Sequence, residues 1–264
     1  MAHKEQILFI KSVLKFIPKE FLAKSNLLEI GSYDNNGSIR NLFQVKKYIG
    51  ADLVKGPGVD LIYDGIDLKT PLKEFDIVLS CECLEHDPNW VNTFNNMIQK
   101  LCPNGILIMS CASKGRIEHG TLRTNPKDSP GTSSVGINYY RNLRKKDFLN
   151  NFKFKKIFKE YFFYHNKYSN DLYFVGVKKS NSYKKIFDLI FLEFQLIHNL
   201  KIERISKKEN IKEKFFRILF SIDYPLREVL LLQESEKNYQ NYMFFRNNII
   251  QKLSRIKRVL VNKF

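Results

Sequence analysis

Cysteine is scarce, four residues in 264, and none forms a C-x-x-C pair. Cys81, Cys83, Cys102 and Cys111 lie inside apolar runs, which speaks against zinc clusters and disulfides and for a reduced compartment. With 12 glycines and 8 prolines, collagen-like and mucin-like classes fall as well. Long apolar runs are missing: the greasiest stretch, Ile186 to Leu200, contains Asp188 and Glu193, so no membrane span is expected. Met1 to Phe21 has Ile7, Ile10, Leu14 and Ile17 at helical spacing with Lys4, Lys11 and Lys15 between them. That is a helix, set at residues 3–17, and not a secretory leader. A cytoplasmic protein is expected. Acidic residues are few, 27 against 44 Lys and Arg, and the net charge of +17 points to anionic partners. The Lys, Asn, Ile and Phe excess also matches the codon bias of an AT-rich genome. Apolar residues are plentiful, at 44% with 22 Phe and 13 Tyr, so the chain can bury a full core and disorder is excluded.

From Asn26 to Lys179 strand-like and helix-like segments alternate. Leu27–Ile30, Lys47–Ala51, Val59–Tyr63, Phe75–Cys81 and Ile106–Cys111 read as strands. Ser38–Phe43, Pro88–Leu101 and Arg144–Asn151 read as helices, and Pro103-Asn104-Gly105 as a turn. This alternation predicts an α/β fold with a Rossmann-like, doubly wound, mostly parallel sheet. Phe154–His165 and Leu172–Lys178, joined by a polar turn, predict a closing antiparallel hairpin. Residues 114–142 are rich in Gly, Pro, Ser and Thr and lack periodicity, as expected of an acceptor loop or lid. The first domain is set at residues 1–180 and a basic helical appendage at 181–264. In the appendage Tyr239, Tyr242, Arg246, Ile249 and Leu253 step by three and four, which suits a helix packed on its own domain or one that pairs two copies.

The chemistry starts at Leu28-Glu29-Ile30-Gly31-Ser32-Tyr33-Asp34-Asn35-Asn36-Gly37. An acid closes a strand, small residues then let the backbone approach a ligand, and Gly37 is expected to open a helix whose N–H groups are free. The G-x-G-x-x-G spacing that cradles a pyrophosphate is absent, so a phosphate-free cofactor with a cationic amino-acid tail fits better. Asp52 ends the second strand, where a carboxylate can accept ribose hydroxyls, and Asp64 ends the third. Phe75-Asp76-Ile77-Val78-Leu79-Ser80-Cys81-Glu82-Cys83-Leu84-Glu85-His86 brings Cys81 and Glu82 to the ligand edge of the sheet.

These motifs, with G-A-D at Gly50–Asp52 and L-C-P-N-G-I-L-I, resemble those of the class I S-adenosylmethionine-dependent methyltransferases, small-molecule or sugar O-methyltransferases in particular. The resemblance spans about Leu27 to Lys179. It implies S-adenosyl-L-methionine as cofactor, with Glu29, Gly31, Ser32 and Gly37 at its methionine end. It also implies Asp52 and Leu53 at the ribose, Asp64 at the adenine, and Cys81 and Glu82 on the sulfonium side. The first loop departs from the family in lacking a third glycine near Asp34 or Asn35. The motif of base-amino methyltransferases is absent, and no cysteine follows a proline as in cytosine-C5 enzymes. An O-acceptor is left.

Such a transfer needs positioning and a group to take a proton. His119 and His86 are the candidate bases. Arg116, Arg123, Tyr139 and Tyr140 are candidate acceptor ligands, two cations for an anionic group and two flat faces for a sugar ring. Glu82, Glu85 and Asp87 crowd one edge and allow a metal-assisted variant, but their ligand spacing is unspecific and no metal site is set. Residues 1–138 hold 16 basic and 15 acidic side chains, whereas residues 181–264 hold 17 and 9. The surplus begins at Arg141, Arg144, Lys145 and Lys146. It suits a solvated face, an anionic acceptor or RNA. The expected activity is O-methylation of a bacterial surface-carbohydrate (capsule) building block, at a sugar hydroxyl or a phosphate or phosphoramidate group. An RNA-binding methyltransferase and a non-catalytic interaction protein are the rivals.

Overall fold

The structure, a computed structural model, describes residues 3–63, 74–166, 169–178, 226, 227, 230 and 236–261. Seven strands form one sheet in the order β3-β2-β1-β4-β5-β7-β6. They are β1 (Asn26–Ile30), β2 (Lys47–Asp52), β3 (Leu61–Ile62), β4 (Phe75–Cys81), β5 (Leu101–Ala112), β6 (Glu160–Asn166) and β7 (Asp171–Val177). The first five run parallel, and β7 pairs antiparallel with both β5 and β6. This is the Rossmann-like sheet with a terminal hairpin that the alternation of segments predicts.

Side chains alternate between two apolar layers, as the two-residue period of a strand requires. Ile77, Leu79, Ile106, Ile108, Tyr173 and Val175 face one layer, where α1 (Lys4–Leu14) contributes Phe9, Ile10 and Val13. Phe9 stacks on Tyr173 with ring centroids 4.4 Å apart. Val78, Leu107, Met109 and Phe174 face the other layer with Trp90 and Phe94 of α3 (Trp90–Lys100) and Phe148. A core on each side buries both faces of the parallel strands, which is why these read as nearly continuous apolar runs.

Several local expectations are corrected. The N-terminal helix stops at Leu14, and Pro18, which cannot continue a helix, precedes a separate α2 (Lys19–Lys24). Ser38–Phe43 holds only a 3-10 turn, Arg40–Leu42. The third strand shortens to Leu61–Ile62, on the sheet edge. Pro103-Asn104-Gly105 does not separate elements but forms a bulge within β5: Leu101 pairs with Phe75, and Ile106 already pairs with Ile77. Phe154–Ile157 opens the hairpin as a short helix (α6, after α4 at Pro130–Ser134 and α5 at Lys145–Asn151) because Phe154 turns into the aromatic core.

The chain divides into two compact units, Met1–His198 and Asn199–Phe264. The boundary expected at 180/181, and the helices that the sequence pattern predicts along Ile186, Ile190, Phe194 and Ile197, over Ile211–Phe220 and from Pro225, start or lie outside the described residues. In the second unit α7 spans Glu236–Val261. Its Tyr239, Gln240 and Met243 are buried, while Ile249 of the three-and-four seam is exposed. Among the described residues, no helix is long and apolar enough to cross a membrane.

Candidate cofactor cleft and histidine cluster

Strand order reverses between β1 and β4, the place where open α/β sheets bind ligands at their carboxyl ends. A cleft of about 860 Å³, counted out to its mouth, opens there. Its floor is Gly31, Ala51, Asp52, Leu53 and Glu82, and its far wall is Ser129–Thr132 of the 114–142 loop. A smaller cavity, lined by Gln6, Glu29, Ser32, Gly37 and Cys81, adjoins it, and Gly31 and Tyr33 line both. The strand ends thus bring together nearly all the expected cofactor residues. Asp64 lies outside the described residues.

Asp52 sits at the head of this site. Its Oδ2 accepts from the Tyr33 N–H at 2.9 Å and its Oδ1 from the Leu53 N–H at 2.7 Å. Burial raises its pKa, and those two N–H groups oppose the rise. A carboxylate offers about four acceptor positions, so capacity is left for a ligand's hydroxyls. Glu29 is buried in β1. Burial pushes its carboxyl up to about 7, against the Tyr48 hydroxyl that donates to Oε2 at 2.7 Å. Beside it the buried Ser32 Oγ and Gln6 Oε1 have no partner. Orphaned acceptors next to a carboxylate suit an ammonium group.

Two glycines behave differently from expectation. Gly31 has φ 80°, but a Cβ there would stand 2.4 Å from Cys83 Cβ. Its smallness admits a neighbouring side chain. Gly37 (φ 116°) opens no helix, and its N–H donates to Asp34 Oδ1 at 2.8 Å.

Glu82 follows β4 with φ 54°, a left-handed conformation rare for a residue with a side chain. Its Oε1 accepts from Ser110 Oγ at 3.0 Å, and Ser110 Oγ accepts from Gln6 Nε2 at 3.1 Å. Burial first, then the Asp171 charge, raises the Glu82 pKa. His3 caps α1, and its Nε2 stands 2.9 Å from Asp171 Oδ2. Burial opposes charge on His3, but the Asp171 hydrogen bond and the Glu82 charge outweigh it and raise its pKa.

His86 is buried and lines the cleft. His119 is half-buried behind it, outside the cleft wall, with ring centroids 4.9 Å apart. Tyr140 packs against both rings, at 5.5 and 5.0 Å. Burial first, then the neighbouring His119, pushes the His86 pKa down to about 3, and burial also lowers that of His119. Arg116 donates to Asp171 Oδ1 and the Ser169 carbonyl, and Arg123 stands 3.7 Å from Glu118. Neither arginine, nor Tyr139 or Tyr140, lines the cleft.

Sequence reasoning missed His3 and Gln6, and it reached Glu85 only as one of three acids crowding a sheet edge. Gln6 offered a signal: it shares the buried stripe of Phe9, Ile10 and Val13, where an apolar residue is the rule.

The residues facing the two cavities fit S-adenosylmethionine. Among the described residues the cleft wall carries four carboxylates, Asp52, Glu82, Asp87 and Asp128, and no Lys or Arg. Such a wall repels a pyrophosphate and suits a cation.

Neither a protein-family model nor a curated protein sequence matches the chain. Among solved structures it is similar to an S-adenosylmethionine-dependent methyltransferase of Thermotoga maritima (15% identity, 66% of this chain, 89% of that one, TM-score 0.42). A second such methyltransferase, from Mesorhizobium loti, has 12% identity, coverages of 64% and 96%, and TM-score 0.42. A third structure is the 1,6-didemethyltoxoflavin-N1-methyltransferase of Burkholderia thailandensis with S-adenosylhomocysteine bound (13%, 67% and 80%, TM-score 0.44). These likenesses are distant and concern architecture alone.

Proposed function

We propose that the protein is a cytoplasmic S-adenosylmethionine-dependent O-methyltransferase. The observation that carries the reading is the cleft at the β1/β4 reversal, acidic and without Lys or Arg among the described residues, joined at Gly31 to a cavity holding Glu29. In this reading Asp52 holds the ribose, and Glu29 with Gln6 holds the amino end. The cofactor, when bound, supplies a methyl group already activated by its sulfonium. The chain's own work is to align an acceptor and manage its proton.

The proposed acceptor is a hydroxyl of a sugar-type surface-polysaccharide (capsule) precursor. A neutral hydroxyl is favoured over a phosphate or phosphoramidate because Arg116 and Arg123 stand outside the cleft and are occupied by acids. His86 is the imidazole that meets the acceptor, and His119 and Tyr140 are the positioning residues behind it. His86→Ala is expected to lower single-turnover rates more than His119→Ala, each with cofactor affinity nearly unchanged. The reverse order would return the acceptor-facing role to His119.

Calorimetry on Asp52 variants tests the cofactor assignment. Hydrogen bonds to a charged acceptor contribute roughly 1.5–3 kcal/mol each, so Asp52→Ala should weaken S-adenosylhomocysteine about a hundredfold or more. Asp52→Asn, which keeps an acceptor for the Tyr33 N–H, should lose less. Unchanged affinity in a folded Asp52→Ala protein would remove Asp52 from the site. A labelled-cofactor screen against sugar nucleotides, phosphoramidates and RNA tests the acceptor, and transfer to RNA alone would sink the sugar reading.

A further inference from the structure

Glu85, His86 and His119 each offer one ligand atom, and the three atoms lie within 4.8 Å of one another. Each side chain is already steered by the backbone at its other polar atom. Glu85 Oε1 accepts from the Ala112 N–H at 3.1 Å, leaving the buried Oε2 without a partner. His86 makes a backbone hydrogen bond with Tyr139, and its buried Nδ1 has none. His119 Nδ1 lies 3.1 Å from the Ile117 carbonyl, which accepts from it and so leaves the Nε2 lone pair outward. A metal-binding histidine is usually held in this way, its other ring N–H given to a carbonyl or carboxylate. A buried lone pair with no donor facing it is costly, and two of the three are such orphans.

We propose that Glu85, His86 and His119 form a binding site for one divalent transition-metal ion beside the cofactor cleft. Two imidazoles and one carboxylate select a borderline ion such as Zn²⁺, Co²⁺, Fe²⁺ or Mn²⁺ over the harder Mg²⁺ and Ca²⁺. The ligands come from the turn after β4 and from the 114–142 loop, while Ala112 at the end of β5 steers Glu85, so the ion pins the loop to the sheet edge. His86 is also cleft wall, so an acceptor there would meet the ion where it would otherwise meet a bare imidazole. The other triad of this kind among the described residues, His3, Glu82 and Asp171, is a poorer candidate. Asp171 already pairs with His3 at 2.9 Å and with Arg116 at 3.1 Å, so the guanidinium supplies its positive charge.

This site does not depend on the methyl-donor reading, and its test needs no turnover. Untagged full-length protein, stripped with chelator, is titrated with Co²⁺ by visible absorption and with Zn²⁺ by calorimetry. One ion per chain is expected, with a raised melting midpoint. His119→Ala and Glu85→Gln should each weaken binding at least about tenfold, and His3→Ala should leave it within about twofold. His119 is half-buried on a loop, so its variant remains informative if Glu85→Gln fails to fold. Absence of saturable binding overturns the proposal, as does binding that survives His119→Ala but is lost in His3→Ala.

Discussion

Glu29 is a carboxylic acid kept in the core of a strand, and its environment sets a pH dependence. Its folded pKa is raised, to about 7, so the folded chain holds this proton more tightly than the unfolded one. Stability from this group is full below its ordinary range and is lost as pH rises through about 7. Glu85, raised to about 8, acts in the same direction. His86 acts oppositely: lowered to about 3, it withdraws stability as pH falls below 6.5. Glu29→Gln should therefore flatten the loss of stability between about pH 5 and 7. It should add about 1–3 kcal/mol at pH 8, read by urea melts, because Gln can still accept from Tyr48. A variant as pH-sensitive as the parent would show that Glu29 does not titrate in this window. Gly31→Ala is the steric counterpart. The new methyl would lie 2.5 Å from Cys83 Sγ at φ 80°, so a loss of about 2 kcal/mol or more is expected. Cys83→Gly should restore part of it in the double variant, and failure of that rescue would locate the cost in φ alone.

Elements differ in how well they could be read before folding. β1, β4 and β5 are long apolar runs ended by Gly31, Glu82 and Ser113, and their order along the chain fixed the expected sheet. Edge elements were harder. β3 keeps two paired residues because Leu61 and Ile62 are exposed, so nothing in their pattern marks a boundary. The bulge in β5 reads as a turn from sequence because Pro103-Asn104-Gly105 carries turn chemistry wherever it sits. The candidate site was legible where one strand end brings one residue. It was illegible where the answer depends on a distant helix cap, as with His3 and Gln6, or on which side of the 114–142 loop faces the sheet. Two of that loop's contacts reach the glycine loop after β1 and the end of β2. Asn35 Nδ2 donates to the Lys127 carbonyl at 2.7 Å, and a Cβ on Gly131 would lie 2.5 Å from Asp52 Oδ1. Asn35→Ala should leave melting nearly unchanged, since the bond is exposed, yet make the loop a few times more sensitive to limited proteolysis. Equal cleavage rates would show that this contact does not restrain the loop.

At the scale of the molecule, the described lysines that begin the basic surplus stand apart from the cleft. Lys145, Lys146, Lys153, Lys155, Lys156 and Lys159 are exposed while Phe148, Phe154 and Phe158 between them are buried. None of the six lines the cleft. These six charges are therefore a surface property, and they support a sequence-blind grip on a polyanion better than recognition of a small anionic acceptor. If RNA binds there, its affinity should fall steeply with salt, and neutralising three of these lysines should flatten the log–log slope by about 2–3. A slope near zero in the parent protein would retire the RNA reading.

The contact of Gly131 with Asp52 also bears on timing. If Asp52 holds the cofactor's ribose, as proposed, a roof resting on it imposes a sequence of arrivals. The cofactor must enter while the roof is lifted, the acceptor docks against what has closed, and the methylated product departs before the spent cofactor can. Escape of the demethylated cofactor then limits the steady state, and the first cycle should run ahead as a burst of product.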